Sequence, residues 1–227
     1  TCTNNFCTLN PLTLQDSAYV LSQGNLRISI GGDNERKAAL GTVGLTTGKW
    51  YWEVNFISTS GASFAQIGIS DVIEGTEAST ENGKMGYFPY DYGYRGEGGG
   101  KKTNDGTYTN YGASYAAGDT IGVAVDLDNN AIYFSKDGAF QASGAVGDPT
   151  SGSNRTNATF NITAAASTGT GAYFPAIGKE AVEDPVFDFN FGSPSYAISS
   201  GNADGNGHGN FEYAVPSGYF ALCTKNL

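Results

Sequence analysis

"GKWYWEVNF", residues 48–56, holds both tryptophans of the chain, Trp50 and Trp52, with Tyr51 between them. In a strand, side chains two apart share a face, so Trp50 and Trp52 point the same way and Val54 and Phe56 continue their row. Tyr51, Glu53 and Asn55 take the other face. A stacking platform for a sugar or a base would not be expected to run on into an aliphatic and aromatic row. The spacing therefore predicts that both indoles are core, because each has a large apolar area to bury.

The same period of two recurs along the chain. Leu26, Ile28 and Ile30 share a face in "NLRISI", and Ala65, Ile67 and Ile69 alternate with Gln66 and Gly68 in "FAQIGIS". Ile121, Val123, Val125 and Leu127 line up in "TIGVAVDL", and Ile132 and Phe134 follow after the turn at "DNN". Phe187, Phe189 and Phe191 alternate with Asp188 and Asn190. This is the pattern of antiparallel strands with one buried and one polar face. No segment carries a sustained helical period, and 33 glycines supply the tight turns that many short strands need. The expected fold class is all-β, a sandwich, with one domain over residues 1–227.

Composition narrows the function classes. With 12 basic against 22 acidic side chains, the formal charge is −10, which disfavours nucleic acid and anionic lipid as partners. No apolar run is long enough to span a bilayer, so membrane insertion is not expected. The chain begins at Thr1 without a charged-then-apolar leader, which reads as a processed chain or a fragment. Cys2, Cys7 and Cys223 lack metal spacing. They read as small buried or free thiols; if the termini meet, Cys223 could bridge to Cys2 or Cys7.

Catalytic chemistry finds little to stand on. His208 is the lone imidazole, and in "GNGHGN" nothing fixes its orientation as a triad requires. Glu53, the acid nearest the aromatic row, falls by parity on the polar face, where a solvated or cross-strand role is expected. "DLDNNAIYFSKD" places Asp126, Asp128, Asn130 and Asp137 at calcium-loop spacings, but Ala131 stands where such a loop needs glycine. A hairpin turn explains it better. "GNADGNGHGN", with Asp204, Asn206 and His208, matches no ligand code and reads as a flexible loop. Three N-x-T triplets, at Asn154, Asn157 and Asn161, read as a product of Asn- and Thr-rich composition. No enzyme activity, metal site or cofactor is expected.

Tyrosine density is the binding signal. Tyr87, Tyr90, Tyr92, Tyr94, Tyr108, Tyr111 and Tyr115 fall within 29 residues around a glycine-rich loop that carries Lys101 and Lys102. Tyrosine gives a rigid apolar face plus a hydroxyl at small entropic cost, which recognition surfaces favour. Tyr90, Tyr92 and Tyr94 share one parity, so part of the group must be core. The candidate ligand-binding residues are Tyr90, Tyr92, Tyr94, Arg95, Lys101, Lys102 and Tyr108.

The order of pieces "GKWYWEV", "IGIS", "YGASYAAGDTIGVAVDLDNNAIYFSKDG", "YFPAIG" and "FDFNFG" resembles a SPRY domain over roughly residues 40–195. Its most specific block runs from Tyr111 to Gly138, through Gly118–Asp119, Asp126, Asp128 and Lys136–Asp137–Gly138. The resemblance implies a bent two-sheet antiparallel sandwich of concanavalin-like, jelly-roll architecture, without catalytic residues, that binds proteins or peptides through loops. The borders "NNFCTLNPL" and "PSGYFALCTKNL" are similar to those of SPRY modules in tailed-bacteriophage virion proteins. They imply a fibre or capsid-decoration module at a virion surface, extracellular, recognising a host protein or glycan or neighbouring virion subunits, in a chain that could assemble as a homo-oligomer. The alternative implied by the family is a cellular adaptor domain binding a short peptide of a protein partner, with a carbohydrate-active enzyme as a third reading.

Overall fold

The computed structural model describes residues 3–14, 18–31, 38–60, 64–71, 85–96, 100–179 and 184–227. The strands, numbered along the chain, begin with β1 (Tyr19–Ser22), β2 (Arg27–Ile30), β3 (Ala38–Leu40), β4 (Lys49–Ser58) and β5 (Gln66–Ser70). The middle of the chain supplies β6 (Tyr92–Arg95), β7 (Lys101–Asn104), β8 (Thr107–Asn110), β9 (Thr120–Asp126), β10 (Ala131–Lys136) and β11 (Ala139–Phe140). The last are β12 (Phe160–Asn161), β13 (Phe174–Gly178), β14 (Val186–Asn190) and β15 (Phe220–Ala221). Among the described residues the only helical elements are three short 3-10 turns.

Two sheets form the sandwich. The first runs β1-β2-β14-β4-β9-β10-β11, with β12 on β10 and β15 parallel to β4. The second runs β3-β13-β5-β6-β7-β8. The expected alternation sets the inner faces. Trp50, Trp52, Val54 and Phe56 of β4 meet Ile121, Val123 and Val125 of β9 and Phe187 and Phe189 of β14 in one core. Ile67 and Ile69 of β5 and Tyr92 and Tyr94 of β6 close that core from the second sheet. Trp50 is 6% exposed and Trp52 0%, so both indoles are interior packing. Trp50 donates its ring N–H to the Thr47 carbonyl at 2.7 Å, whereas the Trp52 ring N–H is buried without an acceptor.

The outer face of the first sheet departs from expectation. Tyr51 and Glu53 are as buried as the tryptophans, because the chain beyond β14 returns across this face. Phe211, Tyr219, Ala221 and Cys223, with Phe6 and Val215, pack on Tyr51, Ala124, Ala131 and Tyr133 as a second apolar layer. Burial there demands partners for polar groups. Glu53 accepts the amides of Tyr213 (2.8 Å) and Glu212 (3.0 Å), the Asn190 side-chain amide (3.1 Å) and the Tyr51 hydroxyl (3.2 Å). A position assigned by parity to solvent is thus an internal anchor. Asp188, also fully buried, is held by Arg27 through two contacts of 2.6 Å.

The hairpin reading of "DLDNN" holds: β9 and β10 pair antiparallel from Asp126–Ala131 to Ile121–Lys136. Asp126 accepts the backbone and side-chain N–H groups of Asn129 and pairs with Lys49 at 2.9 Å, while Asp128 accepts the Gly48 amide. The 199–210 segment is ordered by Asp204 rather than being a loose loop. That carboxylate accepts the amides of Asn206, His208 and Ala221 and the Asn226 side chain, each near 2.9 Å.

The chain ends meet, as the bridge between Phe6 and Cys223 shows. Cys7 and Cys223 nevertheless remain free thiols. Cys7 turns into the main core and Cys223 into the second apolar layer, so neighbouring backbones carry sulfurs on opposite faces. A Cys7–Cys223 bridge is thereby ruled out, and Cys2 lies outside the described residues.

Candidate functional site

The tyrosine-rich segment forms β6, β7 and β8 at one end of the second sheet. Register fixes which side chains look outward. Gln66 lies opposite Arg95, Arg95 opposite Lys101, Lys101 opposite Asn110, and Thr103 opposite Tyr108. Cross-strand partners share a face, so these six lie on one outer patch, where Gln66, Thr103 and Arg95 are buried and Lys101, Tyr108 and Asn110 stay accessible. The Asp105–Gly106 turn that joins β7 to β8 has φ values of 50° and 69°, the left-handed pair a two-residue hairpin requires.

Polar contacts knit the patch. Thr103 donates its hydroxyl to Gln66 Oε1 at 3.0 Å, and Gln66 Nε2 donates to the Tyr108 hydroxyl at 3.3 Å. The Arg95 guanidinium lies over the rings of Phe64, 4.4 Å from the centroid, and Tyr108, at 5.1 Å. Such stacking fixes a planar cation against aromatic faces. Gly86, at φ 85°, closes over one side; a Cβ there would lie 2.1 Å from Thr103 Oγ1 and 2.4 Å from Gln66 Oε1.

The strip from residue 86 to residue 91 is pinned by Asp91, whose Oδ2 accepts the amides of Gly86 (3.0 Å) and Phe88 (3.4 Å). Its Oδ1 is buried without a partner. Burial pushes this carboxyl up to about 6, against the hydrogen bonds it accepts, and the nearby Asp71 adds repulsion.

The seven sequence candidates separate by parity. Tyr92 and Tyr94 belong to the core, where Tyr94 rings contact Tyr111, Tyr115 and Phe134 and its hydroxyl donates to the Ala113 carbonyl. They are not available to a ligand. Tyr90 packs partly buried against the same core. Lys102 faces inward as well: its ammonium donates to the Thr159 carbonyl at 2.7 Å and lies over the Phe160 ring, and burial lowers its pKa. Arg95, Lys101 and Tyr108 remain on the outer patch, Lys101 and Tyr108 accessible and Arg95 buried at 8%. Gln66, Thr103, Asn110 and Phe64 join them, which sequence reasoning did not select, although the parity of β5 had already set Gln66 apart from Ile67 and Ile69.

Elsewhere, a shallow depression of about 490 Å³ is lined by uncharged residues, among them Tyr111, Phe140, Gln141 and Val146. Neither acid–base candidate is arranged for chemistry. Glu53 is sealed by four donors, and Asp204 takes the backbone N–H of His208 rather than orienting its ring.

Comparison with known proteins supplies the family. A model described as the SPRY domain matches residues 49–193. The chain belongs to the SPRY domain family. Ran-binding protein 9 of Danio rerio is 32% identical over 124 residues, which cover 52% of this SPRY chain and 20% of that protein. Human Ran-binding protein 9 is 31% identical over 124 residues, covering 52% and 16%. ATP-dependent RNA helicase DDX1 of Xenopus laevis is 28% identical over 130 residues, covering 57% and 16%. The match therefore spans a small part of each curated relative.

Two solved SPRY structures share the sandwich. The SPRY domain of human HERC1 has a TM-score of 0.55 at 15% identity, covering 80% of this chain and 96% of that one. The TRIM65 PSpry domain has a TM-score of 0.53 at 14% identity, covering 82% and 92%. These relatives are cellular proteins. Nothing in the matches links the SPRY domain to virions, so the expected phage setting finds no support and the adaptor alternative gains it.

Proposed function

We propose that this SPRY domain is a non-catalytic protein-recognition module of the adaptor type, which holds a short segment of a protein partner on the outer patch of β5–β8. One observation carries the reading: the accessible Lys101, Tyr108 and Asn110 stand together on a rigid sheet, with the buried Arg95 stacked on Phe64 and Tyr108. Such surfaces lose little side-chain freedom on binding, which favours affinity. Recurrence of the segment as a small part of differently named proteins supports a module that serves many hosts.

The test is site-specific photocrosslinking in cell extract. A photoreactive residue at Asn110, exposed on β8, is expected to capture a discrete protein partner. The same group at Val20, 56% exposed on the other sheet, is the comparison site. Capture from position 20 alone would overturn the assignment of the face.

A further inference from the structure

We infer that the partner's segment adds to the second sheet as a further antiparallel strand along the free edge of β8; the inference rests on the recognition reading above. Register says which main-chain groups of β8 are spent on β7. The Tyr111 amide donates to the Gly100 carbonyl at 2.9 Å, which makes Gly100 and Tyr111 a hydrogen-bonded pair. Bonded and non-bonded pairs alternate along an antiparallel ladder. Lys101–Asn110 and Thr103–Tyr108 are therefore the non-bonded pairs, and Tyr108 and Asn110 turn their N–H and C=O groups away from β7. β8 ends the sheet on that side. Thr107, Thr109 and Asn110 are exposed, and the Asn110 main chain has no partner among the described residues.

The opposite edge of the same sheet is closed by the chain itself. Asn10 donates its amide to the Leu40 carbonyl of β3 at 2.8 Å, and the Leu40 amide reaches Thr13 Oγ1 at 3.3 Å. Open edges are ordinarily blunted by lysine, proline or a bulge. The β8 sequence "TYTN", residues 107–110, has neither charge nor proline, and its register on β7 runs unbroken. Outward N–H and C=O groups on such an edge are a template for a guest strand. Beyond β8, Tyr111, Gly112 and Ala113 line the uncharged depression of about 490 Å³, together with Phe140 and Val146. An antiparallel guest paired with Asn110 brings its preceding residues over this depression, so the segment carries an apolar side chain at its N-terminal end. The occupant is a partner's segment rather than a second copy. Two β8 edges would join four residues a side, where a stable interface takes about 20–30, and would press together two chains of charge −10.

The probes are short peptides selected on the purified domain from a random display library, and they are expected to carry an apolar residue near the N-terminal end. N-methylation of successive peptide amides should weaken binding about tenfold at alternate positions and little between them. Asn110→Pro deletes the outward N–H but no bond to β7, and should cost a similar factor. Asn110→Ala keeps the main chain and should bind within about twofold of the parent. Circular dichroism checks that both variants are folded, and the N-methyl series, read on the parent, decides even where Asn110→Pro is not. Methylation losses without alternation, equal loss from Asn110→Ala, or indifference to a folded Asn110→Pro overturns the inference and leaves the recognition reading standing. Self-association that Asn110→Pro abolishes gives the edge to a second copy and overturns it likewise. Failure to enrich any peptide overturns both.

Discussion

The Tyr213 amide donates to Glu53 Oε1 across 2.8 Å, joining residues 160 positions apart. With the Glu212 amide on the other oxygen, one carboxylate ties the C-terminal segment to the middle of β4. Glu53→Gln would set an NH2 group against a backbone N–H in a buried site. The substitution should cost about 2 kcal/mol. Urea titration reads the loss, and hydrogen exchange should quicken first at Glu212 and Tyr213. Unchanged exchange there would refute the anchoring role.

Asp91 predicts an unusual pH dependence. Its folded pKa, about 6, stands above the ordinary 3.8 because burial penalises the charge. The fold therefore prefers the protonated form. That preference is fully expressed below about pH 4 and is lost as pH rises through 6, a difference of about 3 kcal/mol from this group. Asp91→Asn keeps an acceptor for the Gly86 and Phe88 amides and has no charge to bury. Stability curves of the parent and the variant should diverge between pH 4 and 7, the variant gaining at neutral pH. Parallel curves would disprove it.

The two described thiols make a third case. In a Cys2→Ala background, Cys7 and Cys223 should both resist a water-soluble thiol reagent in the native state and react together on unfolding. Burial pushes the Cys7 thiol up, which slows it further. The thermal midpoint should ignore added reductant, since the sulfurs face different layers. A reductant-sensitive midpoint would show a bridge.

Adjacent lysines should behave differently. Lys102→Met replaces an inward ammonium above Phe160 by an apolar side chain of similar length, so stability should change by less than about 1 kcal/mol. Capture of a partner from position 110 should match the parent, whereas Lys101→Met, on the accessible face of β7, should weaken it. Equal losses at 101 and 102 would mean that net charge, rather than the face of β7, governs binding.

The inner faces were legible in the sequence because a period of two says which side chains share a side, and a continuous apolar row says that side is closed. Trp50, Trp52, Val54 and Phe56 follow it without exception. The fate of the opposite side was not legible. Polar residues at Glu53, Asp188 and Asn190 look the same whether water or a later stretch of chain satisfies them, and only the return of residues 211–223 decides. At the candidate site the segment was readable but its members were not. Tyr92 and Lys102 carry the composition of a binding surface and the parity of a core, and parity prevailed. Gln66 and Asn110 are too ordinary to stand out until register places them beside Arg95 and Lys101.

Residues 4–6 lie along residues 223–225: Asn5 receives the Thr224 amide at its carbonyl and donates to the Thr224 hydroxyl, and Asn4 accepts from Lys225. A tug on both ends would load these bonds one after another, like opening a zip, instead of all at once in shear. The seam would yield first, baring Tyr219 and Cys223 while the sandwich itself stayed whole.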